Sequence, residues 1–298
     1  MDAKEELIDV LIEFIKIVET SLSIDVYHAI DRLIEVEEGL SREIAKAMVM
    51  NIDVARSERI PICQDTGIFV FFIKLGLKNP YIDIIGDAII NAVERATRDI
   101  PLRPNAVNPF TNINSGTNLG RYIPWIQYEI DKSDTLEVCL YVAGGGSSSV
   151  GEAKVLQPID AEKEIEKIVL EVVLKRGINS CPPLIIGIGI GPTIEIASVL
   201  SKKALLREIG KRHEDPNVAE LEQKLKEKLN SLGLGPQGLK GKTFVLDVFV
   251  EYAYRHPATY AIAVSAGCWV HRKGCIKIYP DMSFEIPTHN VIRKKLYG

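Results

Sequence analysis

The feature that most restricts how this chain can fold is a seven-residue loop that leads directly into an apolar strand. The loop, residues 61–67, begins with proline and ends with glycine, both typical of turns. The next run, 68–73, is short, apolar and aromatic, which predicts a buried strand. The loop carries Cys63, Gln64 and Asp65, so a thiol, an amide and a carboxylate lie at the start of that strand. Loops held by rigid elements often present functional side chains.

The sequence before this loop is helical, and the sequence after it alternates between strand and helical patterns. Apolar residues recur at helical spacing through residues 1 to about 56, which predicts a helical N-terminal region. We therefore predict a mixed α/β (α+β) fold, with strands interspersed with helices and cysteine-bearing loops at strand ends. The absence of an internal repeat or a low-complexity linker favours a single domain over 1–298. The other predicted helices are at about 82–99, 161–176, 193 onward and 217–231, and the other strands at about 122–129, 135–142, 184–190, 243–251 and 259–266.

Composition excludes several classes of protein. With 298 residues, 46% of them hydrophobic and 26% charged, the chain can bury a large core. The 36 basic and 40 acidic residues give a net charge of −4, which provides no electrostatic footprint for nucleic acid. No apolar run approaches the roughly 20 residues that a membrane span needs. Residues 1–6 are charged and lack a signal-peptide pattern, so we expect the protein in the cytoplasm.

Five cysteines form no CxxC pair and are too few for a disulfide scaffold. In a reducing compartment we expect them to be reduced thiols or metal ligands, although any single one is more often a small buried apolar residue. Cys139 lies inside an alternating strand, where a structural thiol is expected, and Cys275 begins another strand and stays ambiguous. The remaining three lie in loops beside apolar strands, and thiolates bind zinc, copper or iron–sulfur clusters. They are Cys63, Cys181 and Cys268.

Glycine-rich and polar loops supply further candidate sites. The polar stretch 101–120 is long for a connection within a compact domain, which indicates a functional loop or disorder. The three glycines 144–146 follow a predicted strand, where their backbone can approach an anion, but a flexible turn fits equally well. The glycines in 187–191 alternate and do not follow the GxGxxG order, so we do not expect a dinucleotide site.

Four motifs, in this order, resemble a known enzyme family. They are Ile-Cys-Gln-Asp-Thr-Gly at 62–67, Cys-Pro-Pro at 181–183, Gly-Ile-Gly-Ile-Gly at 187–191 and Gly-Pro-Gln-Gly-Leu at 235–239. Together they resemble the iron–sulfur hydro-lyases, the class I fumarases and L-tartrate dehydratases. The resemblance runs from about residue 45 to 275 and corresponds to the alpha subunit of the two-chain form.

The resemblance implies a cofactor and a partner. In that family three cysteines hold a 4Fe-4S cluster with one open iron, which by position makes Cys63, Cys181 and Cys268 the expected ligands. An open iron would act as a Lewis acid. The chain ends soon after the last of these cysteines, so we expect a separate beta subunit to complete the active site. The expected assembly is an alpha/beta hetero-oligomer with self-association of alpha, and no nucleic-acid or membrane partner.

The resemblance also assigns roles to individual residues. Gln64 and Asp65 match family positions that contact the substrate, and Asp65 is the expected proton-transfer group, with a turn-forming role as the alternative. Arg103 matches an arginine that binds a substrate carboxylate, which suits a bidentate guanidinium. His256 matches a position near the active site, and a structural histidine is the alternative. Backbone donors to the substrate are expected from Gly144, Gly145, Gly146 and Ser147.

The implied reaction is the reversible hydration of a four-carbon dicarboxylate, with fumarate and L-malate as the expected pair. L-Tartrate or methylfumarate is the alternative within the same chemistry. The chain departs from the family at Ala143, Ser148 and Ser149, which flank or follow the three glycines. These departures support a different class of protein, a non-catalytic metal-binding or interaction paralogue. The basic run 271–273 beside Cys268 is expected either to supply positive charge near the site or to be a solvated loop end.

Overall fold

The computed structural model describes residues 2–293, so Met1 and residues 294–298 of the predicted domain lie outside the described residues. The chain forms two compact units. The first contains the residues up to Ile24, Asn51–Ala143 and the residues from Arg272 onward, and the second contains Asp25–Met50 and Gly144–His271.

Among the described residues, four helices come first, and strands interspersed with helices follow them, as the periodicity predicts. The helices are α1 (Ala3–Thr20), α2 (Ile24–Asp31), α3 (Leu33–Val36), α4 (Gly39–Glu58), α5 (Ile85–Asp99), α6 (Gly145–Ser148), α7 (Ala161–Arg176), α8 (Ile194–Ala204) and α9 (Pro216–Asn230). The strands are β1 (Ile68–Gly76), β2 (Trp125–Asp131), β3 (Leu136–Ala143), β4 (Glu152–Leu156), β5 (Leu184–Gly191), β6 (Val245–Tyr252), β7 (Tyr260–Gly267), β8 (Lys273–Ile278), β9 (Phe284–Ile286) and β10 (Val291–Arg293). The predicted mixed α/β class is confirmed.

The first unit is built on a six-stranded sheet of order β10-β9-β8-β3-β1-β2. Only the β1–β2 pair is parallel among these described strands; the other neighbours are antiparallel. Alternate residues of β1, Phe69, Phe71 and Ile73, enter one core with apolar residues of α1 and α5. In α1 these residues recur three or four positions apart, as in Leu7 and Leu11, so the helix buries one apolar stripe against the sheet.

The second unit is built on a four-stranded sheet of order β4-β7-β5-β6. Here β5 and β6 are parallel, whereas β7 is antiparallel to both β4 and β5. Apolar residues of α7 and α9 form a core with β5, β6 and β7, as Ile165, Leu225 and Val248 illustrate. The helix α8 approaches β5 so closely that an alanine side chain at Gly187 or Gly189 would collide with α8 backbone atoms.

The elements that the sequence did not predict are short. The strand β4 has four exposed residues out of five and so lacks a clear apolar alternation, and β9 and β10 have three residues each. The three glycines do not form a flexible turn: Gly145 and Gly146 lie in the single helical turn α6. None of the helices in residues 2–293 is both long enough and apolar enough to cross a membrane.

Candidate functional site

The loop 61–67 is held in the first unit by backbone hydrogen bonds. The amide of Ile62 donates to the carbonyl of Glu19 (3.0 Å), one of the last carbonyls of α1 that has no partner within the helix. The Asp65 carboxylate accepts the amide of Gly67 (2.9 Å), which closes a turn. Gly67 has a φ of 65°, which favours glycine. The turn-forming role considered for Asp65 is therefore present.

The side chains of this loop differ in exposure. Cys63 and Asp65 are half-buried, whereas Gln64 is exposed. The amide of Asp65 also donates to the sulfur of Cys63 (3.4 Å). A thiol and a carboxylate thus lie within one short turn, on two residues that are partly exposed to solvent.

The Arg103 segment is attached to the same loop. The hydroxyl of Thr66, almost fully buried, accepts the Arg103 amide (3.0 Å) and lies 3.2 Å from the Arg103 carbonyl. Asn118 donates to that carbonyl as well (3.0 Å), and Asn105 donates to the carbonyl of Gly67 (3.0 Å). The exposed side chain of Arg103 therefore extends from a backbone that is fixed to the cysteine loop. The side chains of Asn105 and Asn118 thus hold part of the polar stretch 101–120 in place.

A buried ion pair lies behind the loop. Arg272 donates from one guanidinium nitrogen to the Glu19 carboxylate (2.7 Å) and from the other to the carbonyl of Asp65 (2.6 Å). Burial, with a smaller contribution from the nearby Asp65 carboxylate, raises the pKa of Glu19 to about 7 against the opposing effect of the Arg272 guanidinium. His271, Arg272 and Lys273 are all buried, so the prediction of a solvated loop end for this basic run is wrong.

In the second unit, two cysteines lie at one end of the sheet. Cys181 precedes β5 and Cys268 follows β7, and the antiparallel pairing of Ile185 with Gly267 brings the two loops side by side. The amide of Trp269 donates to the carbonyl of Cys181 (3.2 Å). Cys181 is exposed and has a φ of 54°, so a non-glycine residue occupies the left-handed region at this point.

The glycine-rich motifs contact the same cysteine loop. Ser180, next to Cys181, donates from its hydroxyl to the carbonyl of Gly146 in α6 (3.0 Å). Gln237 donates to the carbonyl of Pro182 twice, from its backbone amide (2.9 Å) and from its side-chain amide (2.8 Å). Within the second unit, the three glycines, the Gly-Pro-Gln-Gly-Leu motif and the Cys268 loop thus all contact the Cys181 loop. Ser147 is buried, and its hydroxyl lies 3.2 Å from the carbonyl of Gly144.

His256 lies at the opposite end of the same sheet. It precedes β7, whose eight residues end at Gly267, and at about 3.3 Å per residue the two end residues of the strand are roughly 23 Å apart. The imidazole is exposed, and its Nδ1 accepts the amide of Ala258 (3.1 Å). Within the second unit, His256 is therefore not brought to the end that carries Cys181 and Cys268.

The structure corrects the expectation for the other two cysteines. Cys139 and Cys275 form a disulfide, whereas the sequence predicted reduced thiols or ligands. The two residues are paired directly across β3 and β8, with Cα atoms 4.0 Å apart. The two cysteines are 136 residues apart in the sequence, so no local pattern predicts that they pair across the sheet. Cys63, Cys181 and Cys268 stay outside any disulfide.

The thiols of these three cysteines suit a soft metal, although the described residues form no closed ligand cluster. Three thiols at strand ends are the ligand type that iron–sulfur clusters use. Within either unit, the residues in 2–293 form no group of three or more His, Cys, Asp or Glu side chains that could hold a metal ion. Cys63 belongs to the first unit, whereas Cys181 and Cys268 belong to the second.

Three residues around the site were assigned no specific role by sequence reasoning. Gln237 belongs to a recognised motif, but its double hydrogen bond to Pro182 depends on the fold. Arg272 lies in a basic run close to Cys268, and this closeness is the one sequence feature that indicated a role near the site. Glu19 lies 253 residues from Arg272, so nothing local indicates their contact.

Comparison with known proteins identifies the family. The model of the family described as fumarate hydratase (fumerase) matches residues 8–277. The L(+)-tartrate dehydratase subunit alpha of Escherichia coli strain K12 is 40% identical over 289 residues, covering 96% of this chain and 95% of the relative. The putative L(+)-tartrate dehydratase subunit alpha of Methanocaldococcus jannaschii is 38% identical over 278 residues, covering 92% and 98%. The chain therefore belongs to the fumarate hydratase family of hydro-lyases and aligns over almost its full length with alpha subunits of that family.

Proposed function

We propose that this chain is the alpha subunit of an iron–sulfur hydro-lyase that removes water from L-tartrate. The observation that carries this choice of substrate is the 40% identity to an L(+)-tartrate dehydratase subunit alpha over 96% of the chain. Fumarate hydration to L-malate is the second candidate, which the description of the matching family supports. Both reactions break or form one C–O bond and one C–H bond on neighbouring carbons of a four-carbon dicarboxylate.

The residues of the first unit fit the binding of a dicarboxylate. The exposed guanidinium of Arg103 binds one carboxylate in bidentate fashion, and its backbone is held by Thr66. Gln64, which is exposed on the same loop, donates to a substrate oxygen. Asp65 holds or receives the proton that the elimination transfers, because a carboxylate in a fixed turn is a suitable acid–base group.

A 4Fe-4S cluster is the cofactor of the proposed enzyme, with Cys63, Cys181 and Cys268 as its ligands. These three cysteines lie outside the disulfide and next to strand ends, which supports the assignment. When bound, such a cluster supplies an open iron that acts as a Lewis acid toward the substrate hydroxyl. The backbone of Gly144, Gly145, Gly146 and Ser147 donates to the substrate beside Cys181, in keeping with the Ser180 contact to Gly146.

The proposed enzyme works with a separate beta subunit. The relatives in Escherichia coli and Methanocaldococcus jannaschii are both named as alpha subunits, which supports a partner chain. We assign the second acid–base group to that partner. His256 is the alternative source of a proton-transfer group, and its exposed imidazole is accessible to a second chain. The cytoplasmic location also stays a prediction.

The test is to produce the chain with its beta subunit and to purify the complex without oxygen. We expect about four iron and four sulfide per alpha chain and turnover of L-tartrate. The same complex is assayed with fumarate, L-malate and methylfumarate, since one hydroxyl or methyl is recognised by pocket contacts. The variant Cys63→Ser is expected to lose the cluster, whereas the control Cys139→Ser/Cys275→Ser, which removes both cysteines of the disulfide and leaves the ligand set intact, is expected to keep it.

Two outcomes would decide against the proposal. Full iron content and normal turnover in Cys63→Ser would exclude Cys63 as a ligand. One zinc per chain, or no metal and no turnover of any of the four acids, would favour a non-catalytic metal-binding or interaction paralogue.

A further inference from the structure

The Glu19–Arg272 pair is almost completely excluded from solvent. Glu19 is 0% exposed and Arg272 is 2% exposed. One carboxylate oxygen of Glu19, Oε1, accepts no hydrogen bond from the described residues. Removing two charges from water is costly, and apolar residues of similar volume stabilise such a position as well or better. Stability alone therefore does not account for this pair.

Both members of the pair contact the loop 61–67, on either side of Cys63. The backbone carbonyl of Glu19 accepts the amide of Ile62 (3.0 Å), one residue before the cysteine. The guanidinium of Arg272 donates to the carbonyl of Asp65 (2.6 Å), two residues after it. These two contacts hold the loop on either side of Cys63, in addition to the contacts of Thr66 and Gly67 with the Arg103 segment, and the buried charges supply the one after the cysteine.

The geometry requires an arginine. A guanidinium has donors on separate nitrogens in a fixed plane, so Arg272 reaches the Glu19 carboxylate with one nitrogen and the Asp65 carbonyl with the other. The backbone of Arg272 is itself fixed, because its carbonyl accepts the amide of Val142 in β3 (3.0 Å). The guanidinium therefore connects the loop to both α1 and the sheet.

We propose that Arg272 is a positioning residue: with Glu19 as its anchor, it fixes the Asp65 carbonyl and thereby the orientation of the Cys63–Asp65 turn toward the substrate. This role rests on the proposed hydro-lyase function, because Asp65 is the proton-transfer group of that proposal. Arg272 acts through the Asp65 backbone and touches no reacting atom.

The test replaces the pair without leaving a buried charge. In the alpha–beta complex purified without oxygen, the double variant Glu19→Met/Arg272→Met fills the same space with apolar side chains. The matched control, Glu5→Met/Arg95→Met, removes a partly exposed ion pair (2.8 Å) that joins the other end of α1 to α5. Amide hydrogen exchange of peptide 61–67 and kcat per iron with L-tartrate, fumarate and L-malate are measured for both variants.

We expect exchange in residues 61–67 to accelerate at least tenfold in the double variant, and kcat per iron to fall at least tenfold. KM should change less than threefold, because Thr66 still holds the Arg103 segment. The control should match the wild type in all three quantities. If the double variant does not assemble, Arg272→Lys makes the same comparison, because lysine keeps the charge and can reach only one of the two partners.

Unchanged exchange in residues 61–67 overturns the positioning role, whatever the activity. Unchanged kcat per iron, with accelerated exchange, also overturns it, since the loop would then be held without effect on the reaction. If the wild-type complex turns over none of the acids, the proposed function fails, and hydrogen exchange still decides whether Arg272 fixes the loop.

Discussion

The substitution Gly189→Ala tests why glycines alternate along β5. Gly189 faces α8, and a Cβ atom built on it would lie 2.5 Å from the backbone nitrogen of Ser201 and still closer to the carbonyl oxygen of Ala197. Both neighbours are backbone atoms of a helix, so neither can move aside alone. We interpret the alternating glycines of β5 as a requirement of close packing against α8. This interpretation agrees with the sequence analysis, which found no dinucleotide-binding motif in these glycines.

The magnitude follows from these distances. Ordinary contact begins at 3.4 Å, so the helix or the strand must shift by about 0.9 Å or more at Ser201, and overpacking of this kind costs about 1–3 kcal/mol or more. Replacing glycine by alanine returns about 0.5–1 kcal/mol, because the unfolded chain loses conformational freedom. We expect a net loss of about 1–2 kcal/mol in the free energy of unfolding.

The assay is urea unfolding followed by circular dichroism, with Gly191→Ala as the matched control. Gly191 is on the same face of the same strand, but its nearest neighbour is the side-chain atom Cγ2 of Ile196 at 3.2 Å, which can adjust. The control is expected to lie within about 0.5 kcal/mol of the wild type, as at sites without a specific clash. If the two variants are equally stable, close packing of α8 is not the reason for the glycines.

Two further predictions concern the site. The substitution Gln237→Met removes one hydrogen bond to Pro182 and should lower the free energy of unfolding by about 1 kcal/mol while increasing the iodoacetamide labelling rate of Cys181 in the cluster-free chain; an unchanged labelling rate would show that Gln237 does not hold this loop. Burial raises the pKa of Glu19 from 4.5 to about 7, so the folded state binds the proton more tightly than the unfolded state. The stabilisation that the protonated Glu19 gives the folded state is therefore complete below pH 4.5 and is lost as the pH rises through 7. Relative to Glu19→Gln, the wild type should therefore lose about 2 to 3 kcal/mol of stability between pH 5 and pH 8, and parallel pH profiles of the two proteins would contradict this.

Local pattern was sufficient for most of the secondary structure and for the motifs. Helical spacing predicted α7 at 161–176, and the apolar run before the alternating glycines predicted β5. These elements could be predicted because periodicity, turn residues and apolar runs involve only a few neighbouring positions. The loops that carry Cys63, Cys181 and Cys268 were recognised in the same way, from turn residues at the edges of apolar strands.

The sequence by itself determined the mixed α/β class, the cysteine loops and the motifs that identify the family. Only the tertiary structure decided which distant residues meet. Strand register paired Cys139 with Cys275, strand direction separated His256 from Cys181, and the packing of α1 brought Glu19 to Arg272. Such contacts depend on how strands and helices are arranged across 130 to 250 residues of chain, as the separations of 136 and 253 illustrate, and no local propensity encodes that arrangement.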